Sequence, residues 1–188
     1  MSGIDLATAP LGEIEAISFG TGGRDFFTDE QVVWERFDRS WNGLTDPEWY
    51  EPGAAPSGAG GPDWSLLDHV AHVAWWQELA ISYIPRALDG EAWPTEADFA
   101  GGDFDAFNER QRSEWAALSA AEVRARIGSG HERLVAIARR IPPDLLMSEE
   151  VFPWAFFALH GHQLDHLGVI EPWVATLRAR RGGAGGSF

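Results

Sequence analysis

The sequence contains no cysteine. This absence excludes a disulfide framework, a thiolate metal site and a cysteine nucleophile. Any thiol chemistry would therefore have to use a small thiol that comes from outside the chain. The sequence also lacks a glycine-rich phosphate motif and a serine nucleophile elbow, which argues against the commonest nucleotide-binding and serine-hydrolase sites.

Positive charge and long apolar runs are scarce as well. Basic residues count 14 against 29 acidic ones, which gives a net charge of −15. Nucleic acids and anionic membranes need clustered cations, so neither is a predicted partner. No apolar run reaches the roughly 20 residues needed to cross a bilayer. Residues 1–20 lack the pattern of a secretory signal, so the cytoplasm is the predicted location.

The chain is nevertheless rich in core-forming residues. Hydrophobic residues make up 45% of its 188 positions, and tryptophan alone counts 10, which argues against disorder. This length is most simply one domain. We predict a single domain over residues 1–188, with a core at about 28–178 and a flexible tail at 182–188.

Apolar residues recur at helical spacing in several segments, and no segment has a convincing strand pattern. Capping-box spacing marks Thr28 with Gln31, Ser65 with Asp68, and Ser119 with Glu122 as helix starts. The sequence therefore predicts an all-α bundle with long loops between its helices, at about 44–63 and 89–104. The predicted helices cover about 28–43, 65–88, 104–118, 119–140 and 153–178.

Histidines provide the most informative pattern. His162 and His166 are four residues apart, so on a helix they share one face and could bind one metal ion. A third ligand could come from His69 or His72 on another helix, and spacing alone leaves that choice open. His160 points away from His162 and is not a predicted ligand.

Simpler interpretations compete with this one. Two histidines at this spacing can be polar residues on a hydrogen-bonded face, and His131, among polar neighbours, reads as a surface residue. Asp68 could accept a hydrogen bond from the spare ring nitrogen of His72, or it could only cap its helix. Trp75 and Trp76 could line a pocket beside the metal or simply fill the core.

Two motifs resemble the DinB-like superfamily of four-helix bundles. Residues 64–78 (WSLLDHVAHVAWWQE) are similar to its second-helix signature, and residues 162–168 (HQLDHLG) to its fourth-helix HxxxHxG signature. The resemblance covers about residues 28–178. It implies a metal triad of His72, His162 and His166, and so selects His72 over His69.

Two branches of this superfamily imply different chemistry. Residues 103–110 (DFDAFNER) resemble the ClbS/DfsB branch, whose self-resistance hydrolases open a reactive cyclopropane without relying on the three-histidine site. The other branch uses a divalent metal to activate mycothiol or bacillithiol in transfer and isomerisation reactions. An external thiol is compatible with a chain that has no cysteine.

The resemblance thus implies a metal-dependent enzyme that activates water or a small thiol, as a hydrolase or a thiol transferase or isomerase. The implied ion is Zn²⁺, with Ni²⁺ or Fe²⁺ as alternatives. The small-molecule substrate would enter a pocket formed by Trp75, Trp76, Phe104, Phe107 and Asn108. The alternatives are a metal-free hydrolase or binding protein of the ClbS/DfsB kind and a non-enzymatic bundle. DinB-like proteins often dimerise, and the apolar excess allows a homodimer.

Overall fold

The computed structural model describes residues 5–11, 25–53, 64–99, 101 and 103–184. These ranges are helical and contain no β-strand, only an isolated bridge between Pro52 and Ser65, which confirms the predicted all-α bundle. The elements are α1 (Phe26–Ser40), α2 (Asp46–Trp49), α3 (Leu66–Leu88), a 3₁₀ turn (Glu96–Asp98), α4 (Phe104–Trp115), α5 (Ala120–Ala138), α6 (Pro143–Leu146), α7 (Phe152–Phe156), a π-helical turn (Phe157–Gly161) and α8 (His162–Ala184).

The four long helices form the bundle. Helix α3 packs along α5, and α1 packs along α8, while α4 lies across α3. Apolar side chains from all four fill the interior, with buried tryptophans concentrated in one half of it. None of the helices in the described ranges combines the length and the apolar character needed to cross a membrane.

Helix α3 begins where the sequence predicts. The Ser65 hydroxyl accepts from the Asp68 backbone N–H, and the Asp68 carboxylate accepts from the Ser65 backbone N–H, which forms a complete capping box. The helix ends at Leu88, and Gly90 follows with a positive φ of 101°, a conformation that glycine adopts without a Cβ clash. The start of α3 matters because this helix carries His69 and His72.

Helix α5 also begins at its predicted capping box, with Ser119 and Glu122 bonded to each other's backbone N–H groups. It ends at Ala138, slightly before the predicted end at Arg140. Gly130 lies in its middle because a Cβ there would be 3.2 Å from Oε1 of Gln77 on α3. The glycine that weakens the helix locally therefore allows α3 and α5 to approach each other.

The first predicted helix is displaced by a different cap. Asp25, not Thr28, is the N-cap of α1, and its carboxylate accepts hydrogen bonds from both the backbone and the hydroxyl of Thr28. A charged carboxylate is a stronger acceptor than a hydroxyl, so the helix begins earlier. It also ends at Ser40, before the predicted Gly43. Helix α4 likewise ends at Trp115, before the predicted 118.

The predicted loop at 44–63 is described only up to residue 53. Within that part, Thr45 and Glu48 form a capping box that starts the short helix α2. Residues 54–63, the segment rich in glycine and proline, lie outside the described residues.

The last predicted helix has an interruption that the sequence does not predict. It starts at Phe152, with Pro153 in its first turn as predicted, but a π-helical turn replaces the α-geometry from Phe157 to Gly161. The side-chain amide of Gln163 donates to the carbonyl of Ala158, an acceptor within the turn. Helix α8 then continues to Ala184, into the predicted tail at 182–188, whose last residues lie outside the described ranges.

Candidate metal centre

His72 lies on α3, two turns after the capping box that fixes where the helix begins. Its ring is buried, with 2% exposure, among tryptophans. The ring centroids of Trp64 and Trp115 lie 5.2 and 6.1 Å away in edge-on orientation. This aromatic cage limits the orientations that the imidazole can adopt.

His162 and His166 lie one turn apart at the start of α8. Both are buried. Phe157 in the π-helical turn stacks on the His162 ring at 4.7 Å with an interplanar angle of 17°. The turn therefore helps to orient one of the two α8 histidines, in agreement with the frequent occurrence of π-turns at functional sites.

The three rings converge on one point. Nε2 of His162 lies 3.1 Å from Nε2 of His72 and 3.2 Å from Nε2 of His166. The ligand atoms of the three residues lie within 4.8 Å of one another. Two nitrogens bound to a tetrahedral zinc ion at about 2.0–2.1 Å would be roughly 3.3 Å apart. The structure thus brings together all three histidines of the predicted triad at a spacing that suits a metal.

The triad is uncharged near neutral pH. Burial lowers the pKa of His162 to about 3. Burial and the neighbouring histidines hold the pKa values of His72 and His166 well below their usual range. Neutral imidazoles are the form that binds metals. The single Nε2 of His162 cannot hydrogen-bond fully to two neighbouring nitrogens at once, whereas one cation can satisfy all three lone pairs.

His69, which spacing alone left as a possible ligand, lies on the outer side of the triad. Its Nδ1 lies 3.0 Å from Nδ1 of His166. With the shared proton on His166 Nδ1, the Nε2 lone pair of His166 points at the other two rings. His69 therefore contacts a ligand rather than joining the ligand set, and such contacts fix the tautomer and orientation of metal-binding histidines.

Asp68 does not contact the His72 ring as the sequence suggested. Its carboxylate accepts hydrogen bonds from Ser65, from the Arg112 guanidinium at 3.0 and 3.1 Å, and from Nε1 of Trp115. Burial opposes ionisation, but the bonds from Arg112 and Ser65 outweigh it and lower the pKa of Asp68. The carboxylate caps α3 and holds α4 instead. Among the described residues, His72 Nδ1 has no hydrogen-bond partner.

A cavity of about 400 Å³ adjoins the triad, and His72 and His162 form part of its wall. Of the predicted pocket residues, Trp76, Phe104 and Asn108 line it. Trp75 and Phe107 do not: they pack against each other, with ring centroids 5.3 Å apart, and both contact Trp76 from behind. Adjacent tryptophans on a helix point about 100° apart, so only one of the pair can face the cavity.

Sequence reasoning missed several residues of this cavity. They come from separate segments, which only the fold brings together: Phe99, Asp105, Pro153, Trp154, Phe157 and Asp165. Helical spacing was a local signal for two of them, because residues three apart share a face: Asp105 with Asn108 on α4, and Asp165 with His162 on α8.

The two remaining histidines lie elsewhere in the interior. His160 points away from the triad, as predicted, and Nε2 donates to the carbonyl oxygen of Phe26 at 3.2 Å. The prediction that His131 is a surface residue was wrong: its ring is buried and stacks flat on Trp34 at 3.7 Å. Its Nε2 lies 3.2 Å from Oε1 of Glu30, which is also buried.

Burial shifts the pKa values of His131 and Glu30 in opposite directions. It lowers the pKa of His131 to about 4 and raises the pKa of Glu30 to about 7, although Arg139 opposes the second shift. Both residues therefore favour their uncharged forms inside the bundle.

Comparison with known families finds one match: the model of the DinB superfamily matches residues 31–170. The matched region contains all three histidines of the triad and all of the residues that line the cavity. Neither the curated proteins nor the solved structures give a match to this chain.

Proposed function

Because the chain belongs to the DinB superfamily, we propose that it is a divalent-metal-dependent enzyme that activates water or a small thiol for attack on a small electrophile. The observation that carries this proposal is the convergence of three buried ring nitrogens beside an apolar cavity. Convergent polar groups in an apolar pocket next to groups with strongly shifted pKa values are the usual form of an active site.

The residues that would hold the ion are His72, His162 and His166. Imidazole ligands suit Zn²⁺, and they also accept Ni²⁺ or Fe²⁺. When bound, such an ion supplies Lewis acidity that lowers the pKa of water or a thiol towards neutrality. Three neutral ligands leave the full charge of the ion available for this effect.

The protein residues provide the rest of the site. His69 orients His166 through the contact between their Nδ1 atoms. Trp76, Phe104 and Phe157 form apolar walls that exclude water from the reacting groups. His72 and His162 are the triad members that reach the cavity, so a substrate bound there lies beside the metal ligands.

Water and a thiol would give different products from the same site. In hydrolysis, the water oxygen forms the new bond to carbon, a water proton is lost to solvent, and the bond from that carbon to the leaving group breaks with its electron pair on the leaving group. In thiol transfer, sulfur forms the new bond, the thiol proton is lost to solvent, and the same bond to the leaving group breaks. The chain has no cysteine, so the sulfur would come from a small thiol such as mycothiol or bacillithiol.

The test compares turnover with and without a thiol. Monochlorobimane and a set of small epoxides would be offered to the zinc-loaded protein with mycothiol, with bacillithiol or with water alone. We expect turnover with at least one nucleophile, lost after chelation and in His162→Ala. Turnover that survives both changes would contradict the proposal and favour a metal-free enzyme of the ClbS/DfsB kind.

A homodimer and a cytoplasmic location remain part of this proposal. Sedimentation of the purified protein at several concentrations tests for the homodimer. Localisation of a tagged chain in its host tests for the cytoplasmic location.

A further inference from the structure

The charged residues that line the cavity beside the triad are acidic. Asp105 on α4 and Asp165 on α8 both lie on its wall, and both side chains are exposed. No arginine lines this cavity in the described part of the chain. Without a metal ion on the triad, the local field therefore attracts cations and repels anions, in the same sense as the net charge of −15. An ion held by the three neutral histidines would oppose this field on the triad side of the cavity.

Asn108 lies one helical turn after Asp105 and faces the same cavity. Its side chain is only 6% exposed, and Oδ1 has no hydrogen-bond partner among the described residues. A buried amide oxygen without a partner costs about 1–3 kcal/mol. A carboxamide can also turn by 180° and present either its oxygen or its NH₂ group to a ligand. Asn108 is thus a polar group in the cavity that a ligand could satisfy.

The remaining walls are aromatic. Trp76 lies between Phe104 and Phe157, with ring centroids 6.3 and 5.8 Å from its own. Aromatic faces bind flat apolar groups and also attract cations, with tryptophan the best of them. The volume of about 400 Å³ lies within the range of natural small-molecule pockets.

From these three observations we infer that the substrate is a small organic amine, bound as its ammonium form with a compact apolar body. The apolar body packs against the Trp76 wall. The charge lies in the field of Asp105 and Asp165, and an ammonium N–H donates to Asn108 Oδ1. The same acidic groups repel carboxylate and phosphate groups from the part of the cavity beside Asp105 and Asp165. This inference rests on the proposed function, because the ammonium group would belong to the same molecule as the electrophilic carbon that water or the thiol attacks, and it would bind the substrate without itself reacting.

The first experiment uses calorimetry at pH 7 on chelator-treated, metal-free protein to measure the effect of ligand charge, because benzoate could otherwise bind a metal ion. The probes share a benzyl group: benzyltrimethylammonium is a cation that cannot bind a metal, benzyl alcohol is neutral, and benzoate is an anion. We expect the cation to bind at least about 10-fold more tightly than the alcohol, and benzoate to bind more weakly than both. Benzoate binding as tight as that of the cation would overturn the inference.

A double variant tests whether the two acidic residues cause the preference. In Asp105→Asn/Asp165→Asn, the affinity for benzyltrimethylammonium should fall most of the way to that for benzyl alcohol, leaving only the attraction of the aromatic walls, and the alcohol should be unaffected within about twofold. Asp144→Asn removes an exposed charge outside the cavity and is the matched control. A cation preference that is undiminished in the double variant would overturn the inference.

The role of Asn108 needs a second pair of probes. Benzylamine can donate an N–H bond, whereas benzyltrimethylammonium cannot. Asn108→Leu should therefore weaken benzylamine several-fold more than benzyltrimethylammonium. Thermal unfolding checks that the variant is folded, which we expect because leucine removes a buried polar group without changing the volume much. An equal effect on both cations would overturn the hydrogen bond to Asn108.

Metal content, measured on the same preparations before chelation, separates this inference from the proposed function. A cation preference in protein that never binds a metal would refute the metal-dependent function and support the amine pocket. A bound metal without a cation preference would refute the amine pocket alone.

Discussion

All six histidines of this protein are buried, but they form two groups that differ in what their ring nitrogens face. In the first group, the nitrogens of His72, His162 and His166 face one another beside a cavity, and His69 supports His166 from outside. In the second group, His131 and His160 face a carboxylate and a backbone carbonyl, and their rings stack on aromatic side chains.

This difference shows what distinguishes a metal site from a structural histidine. Burial and a lowered pKa are common to both groups, so neither property identifies the site. In the second group, other parts of the protein hold the rings in place: His160 donates to the Phe26 carbonyl, and the His131 ring stacks on Trp34. The triad directs its lone pairs at one another, and such an arrangement needs a cation or a proton between the rings.

The largest effect within the protein interior should come from Glu30. Its pKa in the folded state is about 7, against 4.5 for the exposed group. The stability that the buried neutral form provides is present below pH 4.5 and is lost as pH rises through 7. Glutamine cannot ionise, so Glu30→Gln should not lose stability in this way. As pH rises from 5 to 8, the free energy of unfolding of the variant should therefore increase by about 3 kcal/mol relative to that of the natural chain.

Urea unfolding at several pH values measures this difference. Both proteins retain His131, and because burial lowers its folded-state pKa to about 4, below this pH range, its titration contributes equally to both. A difference in stability that does not change with pH would contradict the raised pKa of Glu30. A change in metal affinity in Glu30→Gln would show that the two groups of histidines are not independent.

His69 tests the boundary of the metal group. His69→Ala should lower the affinity for Zn²⁺ by about 10–100-fold, because it removes the contact that fixes the orientation of His166. His69→Gln keeps a polar side chain at this position and should recover part of the loss. Competition with a chromophoric chelator measures both. Unchanged affinity in His69→Ala would show that the contact between the Nδ1 atoms has no role in metal binding.

The smallest effect should come from Asp68. Asp68→Asn weakens the pair with Arg112 but retains an oxygen for the Ser65 cap, so we expect a loss of about 1–2 kcal/mol of stability. Metal affinity should not change, since the carboxylate does not contact the triad. Thermal unfolding measures the stability of the variant, and chelator competition measures its metal affinity. Weaker metal binding with unchanged stability would support the contact between Asp68 and His72 that the sequence suggested.

Local signals explain what the sequence predicted well. The capping boxes at Ser65 and Ser119 involve residues three apart, and both helices begin there. The spacing of His162 and His166 is likewise local, and the structure places both rings together. The third histidine depended on the family resemblance, because spacing along the chain cannot determine which residue of α3 faces α8.

Long-range contacts explain what the sequence did not predict. His131 was assigned to the surface from its neighbours, yet it continues the buried face of Ile127 and Leu134, a spacing that could have revealed its burial. The π-helical turn had no recognisable signal, and the cavity wall combines residues such as Phe99 and Trp154 from distant segments.

The most direct test of the central claim is metal content per chain. Elemental mass spectrometry would be applied to the untagged natural chain, to His162→Ala and to His131→Gln, a matched change of a buried histidine in the other group. The account predicts about one divalent ion per chain in the natural protein and in His131→Gln, and almost none in His162→Ala. Metal retained in His162→Ala, or no metal in the natural chain after incubation with Zn²⁺, Ni²⁺ and Fe²⁺, would contradict it.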